Sequence, residues 1–247
     1  QPCRRYKDLV LSSRRTRIHL TASRIHKWLA LVIGAQLLIW FASGVIMSIL
    51  PIENVRGEHL VDRESVVPLP SGVDLSRLNN TIGNAKSVSV NVVDGRVIAR
   101  VERGAGDSLL IDALTGQKLP PFDAVAAERI VRSAWRGNKS VNATTHKVIT
   151  ESTEYRGGLP AWRVALSDAE NTSVYIEANS GRIAAVRNGT WRLYDFFWGL
   201  HIMDWKNHEN FNSWWLLGFA IGGLVLGLAG TVLLFMRWPF RRRKAPR

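Results

Sequence analysis

Cysteine is nearly absent from this sequence: Cys3 is the only one in 247 residues, so no disulfide can form within the chain. Catalytic signatures are missing as well. The sequence has no phosphate-binding glycine loop, no His-Glu-x-x-His, no Cys-x-x-Cys and no Gly-x-Ser-x-Gly. Nucleotide-dependent chemistry, zinc hydrolysis, dithiol redox chemistry and serine-nucleophile hydrolysis therefore have no sequence support. Charge is lacking in two places, residues 28–50 and 214–236, each an unbroken stretch of 23 uncharged residues. At about 1.5 Å per residue each would reach roughly 35 Å as a helix, enough to cross a hydrocarbon core of about 30 Å. In lipid the backbone must satisfy its own hydrogen bonds, which makes both runs helices. Their polar content is slight, with Gln36 and Ser43 in the first and Thr231 in the second.

Acid is scarce in the tails. Residues 1–27 hold eight Lys/Arg against Asp8 alone, and residues 237–247 hold six with no acid. The tails thus carry the whole net charge of +13, while the chain between them balances 19 bases with 19 acids. By the positive-inside rule both tails are expected in the cytoplasm and residues 51–212 on the far side. The basic clusters abut the apolar runs, so they suit anionic headgroups better than nucleic acid, and no nucleic-acid partner is expected. The first run exceeds a typical signal-peptide core and no small-residue cleavage site follows it. It is read as an uncleaved signal anchor.

Between the apolar runs one pattern occurs twice. In residues 51–121, helical spacing at 75–82 is followed by alternation at 87–93, an Asp94-Gly95 turn, alternation at 96–102 and a closing Leu-Ile-Asp-Ala-Leu-Thr-Gly-Gln at 110–117. In residues 122–188, a helix is expected at 123–135 with Val125, Ile130, Val131 and Trp135 apolar. Strands at 144–150 and 162–166 follow, then Tyr-Ile-Glu-Ala-Asn-Ser-Gly-Arg at 175–182. Asp-Gly and Ser-Gly between alternating runs signal hairpins. Each half reads as a helix on an antiparallel sheet, making the fold class α+β.

These two endings resemble the PepSY domain. Arg24-Ile-His-Lys-Trp-Leu-Ala-Leu-Val-Ile-Gly34 and Gly199-Leu-His-Ile-Met203 are similar to the two histidine motifs of PepSY-associated transmembrane proteins. The resemblance covers residues 24–238. It implies an inner-membrane protein of two transmembrane helices (28–50 and 213–236) flanking a periplasmic domain of two tandem PepSY-like units. It also implies either a binding or accessory subunit, recognising a periplasmic protein or a larger membrane complex, or a haem b electron-transfer component like the larger iron-uptake reductases. Those relatives carry four or more spans, whereas this chain has two.

Histidine is the side chain able to ligate haem iron here. His26 and His201 are the expected metal ligands. On the expected interfacial helix, at 189–212, Tyr194, Trp198, His201, Trp205 and His208 would share one face. Trp198 and Trp205 would cover a porphyrin, and Asp204, three residues after His201, would hold one imidazole nitrogen. An aromatic belt at the headgroups explains the same tryptophans. His26 and His201 stand at opposite ends of a span, so one chain cannot place both on one haem. A homodimer or a second inner-membrane subunit would be required, and Gly218, Gly222, Gly223 and Gly227 offer small-residue spacing for such packing, or for contact with Ala30 and Gly34 of the first helix.

Overall fold

The structure is a computed structural model and describes residues 27–63, 67–78, 82–104 and 107–237. It divides into two compact units, residues 48–196 and a second unit formed by 1–47 with 197–247. His26 lies outside the described residues.

Residues 48–196 contain two four-stranded antiparallel sheets, each a meander in sequence order. The first comprises β1 (Ser87–Val93), β2 (Arg96–Gly104), β3 (Asp107–Asp112) and β4 (Lys118–Leu119). Asp94 and Gly95 both take positive φ, 50° and 74°, the type I′ geometry whose twist matches a two-residue hairpin. Alternation along β2 sends Val97, Ala99 and Val101 to one face, where they pack with Ile111, Ala113 and Leu78. Of the helix expected at 75–82, residues 79–81 lie outside the described ones, Ile82 is helical, and Ser76–Leu78 form a 3-10 turn opened by Asp74 accepting from the Ser76 amide.

The second sheet comprises β5 (Ala143–Val148), β6 (Ala161–Leu166), β7 (Ser173–Glu177) and β8 (Ile183–Arg187). A short helix, α2 (Ile52–Val55), begins this unit, and α3 (Ala124–Ala134) lies on the sheet. The Asp123 carboxylate caps α3 by accepting from the Ala126 amide at 2.8 Å. Ile130 and Val131 face inward with Ala126 and Ala127, whereas Val125 is 63 % exposed and belongs to the opposite side of the helix. Val131, Val164, Val174, Ile176 and Val186 form the core, and Val61 from the segment before the first sheet is buried among them. Leu60 and Val61 thus belong to the second sheet's core, despite preceding the first sheet in sequence.

Gly181 couples the two sheets. Its φ is +69°, and a Cβ there would come within 2.7 Å of Val93 at the end of β1 and 2.8 Å of Phe122. Both backbone conformation and space therefore require glycine at the Ser-Gly turn. Beside it Glu177, nearly buried, accepts from Arg182 and Ser180. Burial alone would raise its pKa, but these donors hold the carboxyl below its ordinary value.

The other unit contains α1 (Lys27–Ile49) and α5 (Trp214–Arg237). Their apolar side chains are largely uncovered, Leu38 at 70 % and Leu224 at 64 %, as expected where lipid is the solvent. Two polar residues within α1 behave oppositely: Gln36 and Ser43 are buried at 9 % and 1 %, while Ser48 near its end is exposed. Membrane helices turn such groups inward because hydrocarbon cannot hydrogen-bond to them. Gly222 admits Ile33 and Gly223 admits Leu37, while Gly34, Gly218 and Gly227 have open space around them. Leu29, Val32 and Ile33 share a groove with Trp214, Trp215, Gly218 and Phe219. These contacts climb both helices in the same order, so α1 and α5 pack with their chains parallel. Two successive crossings of one bilayer would run antiparallel, and this pairing differs from that expectation.

Candidate functional site

His201 lies in the last turn of α4 (Gly189–Ile202). Met203 then takes a left-handed conformation, φ 56°, and the helix stops there rather than continuing to residue 212. This separates the aromatic face expected from the sequence: Trp198 and His201 are helical, whereas Trp205 and His208 are in the loop that follows.

The His201 ring packs against α1. Its Nδ1 is 3.0 Å from Ser43 Oγ, and its centroid is 6.4 Å from that of Trp40. Ser43 Oγ also lies 3.0 Å from the Trp40 carbonyl oxygen. A carbonyl only accepts and a hydroxyl has one hydrogen, so the arrangement that satisfies both contacts has Ser43 donating to Trp40 and His201 Nδ1–H donating to Ser43. That tautomer leaves a lone pair on Nε2. Gly44 adds room beside it, since a Cβ there would meet His201 Cε1 at 3.8 Å. Trp40 Nε1–H is buried and unpartnered. Leaving such a donor unsatisfied costs about 1–3 kcal/mol. Ser43 lies six residues before the end of α1, about 9 Å of helix rise, so His201 sits beside the apolar body of that helix and not at its rim.

Asp204 does not hold His201. Its Oδ1 accepts from the Lys206 and Asn207 amides at 3.3 and 3.2 Å, and its Oδ2 from the Glu209 and Asn210 amides, both at 3.0 Å. The helix ends before Asp204 can return along its axis, and the carboxylate instead organises the following loop. The amides, led by that of Asn210, hold its pKa well below the ordinary carboxylate range. His208 is half-buried on the last turn of α4. A Cβ at Gly199 would come within 2.6 Å of its ring, and its carbonyl accepts from Trp198 Nε1 at 3.1 Å. Trp198 packs edge-on against Phe211, at 5.3 Å between centroids. Trp205 is 63 % exposed. The aromatic ring beside His201 is therefore Trp40, with Trp198 engaged by the loop.

Residues 23–247 match the family described as the PepSY-associated TM region. The chain belongs to that family. No curated protein and no solved structure matches it. Two apolar helices together with this family make it a membrane protein. In this PepSY-associated protein the sequence singled out His201 but not its partners. Ser43 and Trp40 carried a signal of their own: Gln36, Trp40 and Ser43 fall at i, i+4 and i+7, one face of a helix otherwise made of apolar residues. As for a haem, the residues supply one imidazole with a free Nε2. The second ligand expected from the sequence, His26, lies outside the described residues.

Proposed function

We propose that this protein is an inner-membrane-anchored accessory or regulatory subunit whose periplasmic domain, two tandem PepSY-like units, binds an extended segment of a partner protein. The observation that carries this reading is the free edge of β1. Among the described residues β1 pairs only with β2, and its sequence Ser-Val-Ser-Val-Asn-Val-Val has no charge and no proline. Ser87, Val88, Ser89 and Asn91 are exposed. Soluble domains ordinarily blunt such an edge with lysine, proline or a bulge, whereas strand-adding domains leave it open. A photo-crosslinking residue placed at Ser89 or Asn91 in the full chain is expected to capture one extended segment of a membrane-complex protein in cells. The same probe at Lys147, on β5, is not expected to. Failure at both β1 positions would remove the reading.

The tails argue for both termini in the cytoplasm. Five uncompensated bases after α5 resist transfer, while α1 and α5 meet through two glycines and an open groove. On insertion the parallel order would give way to an antiparallel one.

A second reading, a haem b electron-transfer component, is favoured by the Ser43 contact, which leaves His201 Nε2 available as an axial ligand. The opposing ligand would have to come from a second copy or another subunit. Haem at that position would supply one-electron transfer. An absorption spectrum of protein purified in mild detergent from haem-replete cells tests this directly, and absence of a Soret band would exclude it.

A further inference from the structure

The domain of residues 48–196 has a second feature, independent of the β1 edge. A cleft of about 490 Å³ opens between residues 56–63, the end of α3 and the start of β8. Val61 and Ile183 are its only apolar lining residues, and Val61 is fully buried. Its walls carry four guanidinium groups, Arg56, Arg63, Arg136 and Arg182, and two carboxylates, Glu58 and Asp62.

The walls are held on both sides. The Asp62 amide donates to Ala134 O at 2.9 Å, the Arg136 amide donates to Leu60 O at 2.8 Å, and Val61 bridges to Trp135. On the other side Arg63 Nη2 donates to Ala184 O at 3.2 Å. Two of the arginines are already engaged: Arg136 by Asp62 at 2.7 Å, and Arg182 by Glu177. The other two keep most of their donors. Arg56 reaches Glu58 only at 3.9 Å, and among the described residues Arg63 donates only to that neutral carbonyl. Each guanidinium has five N–H donors in a planar fork suited to two oxygens of one anion.

We propose that this cleft is an anion-binding site in which Arg56 and Arg63 clamp a phosphate group, with Arg136 and Arg182 held beside them by their own carboxylate partners. Four arginines against two carboxylates leave the lining with an excess of positive charge, which suits an anionic head group. The phosphate comes either from a lipid headgroup or from a soluble phosphate compound. Arg56 is seven residues beyond the end of α1.

The test uses the full chain in mild detergent at fixed ionic strength. Pyrophosphate binding is measured by calorimetry, and lipid adducts by native mass spectrometry with phosphatidylglycerol against phosphatidylcholine. Arg56→Gln/Arg63→Gln is compared with wild type and with Lys147→Gln, an exposed lysine on β5 outside the cleft. A thermal melt checks that all three fold alike. The double variant is expected to weaken one of the two probes by about 10-fold or more, the scale of losing charge-assisted hydrogen bonds, with Lys147→Gln unchanged. Loss of phosphatidylglycerol adducts assigns the lipid source, and loss of pyrophosphate binding alone assigns the soluble one. If both probes bind the double variant as they bind wild type, or if neither binds wild type, the proposal is overturned.

Discussion

Ser43 Oγ stands 3.0 Å from His201 Nδ1 and 3.0 Å from the Trp40 carbonyl, so one hydroxyl joins α1 to the last turn of α4 and selects the imidazole tautomer. Nitrogen-15 spectra of histidine-labelled protein in detergent should show His201 protonated at Nδ1 and bare at Nε2. Ser43→Ala should convert this single tautomer into a mixture. An unchanged spectrum in Ser43→Ala would mean that another group fixes the ring.

If haem copurifies, His201→Ala should abolish its Soret band. Ser43→Ala should weaken haem affinity by about 10 to 100-fold, the usual effect of removing a group that orients a ligand. Asp204→Asn should leave the band in place, because the Asp204 carboxylate faces loop amides. A lost band in Asp204→Asn would restore that residue as the imidazole's partner.

Asp204 predicts an acid-sensitive loop. Its folded pKa is depressed, so the stabilisation it gives is present above the ordinary aspartate value of about 3.9 and is lost as pH falls through the lower folded value. Amide exchange at Asn207, Glu209 and Asn210 should accelerate on acidification below that ordinary value, and Asp204→Asn should show the faster exchange already at neutral pH. Protection that persists in Asp204→Asn would contradict the role.

Gly181→Ala should destabilise residues 48–196 by about 1–3 kcal/mol, because alanine must adopt a left-handed backbone and its Cβ meets Val93 and Phe122. A denaturant melt of the full chain followed by near-UV signal reads this. A fragment starting at residue 60 should be less stable than one starting at 48, since it lacks Asn54, whose carbonyl accepts from the buried Asn188 side chain at 2.9 Å.

Topology can be read with alkaline phosphatase fusions. Activity is expected after Gly95 and not after Arg243. Activity at both positions would mean that α1 and α5 cross in the same direction, as their contacts in this fold run, with residues 189–213 returning through the bilayer between them.

The sequence by itself determined the two apolar helices, the two antiparallel sheets between them and the Asp94-Gly95 and Ser180-Gly181 turns. These depend on local properties: uninterrupted hydrophobicity, period-two alternation, and backbone conformations that few residues tolerate. It also marked His201, though by resemblance and not by geometry. Only the tertiary structure decided what surrounds that histidine. Asp204 is three residues away in sequence yet turns to the loop amides, because Met203 ends the helix, while Ser43 is 158 residues away and supplies the contact. Likewise Val61 precedes the first sheet but lies in the core of the second, and Arg56, Arg63, Arg136 and Arg182 share one cleft from three separate stretches of chain. Periodicity records which face of an element is apolar. Which distant element covers that face is set by packing over the whole chain, and no local pattern encodes it.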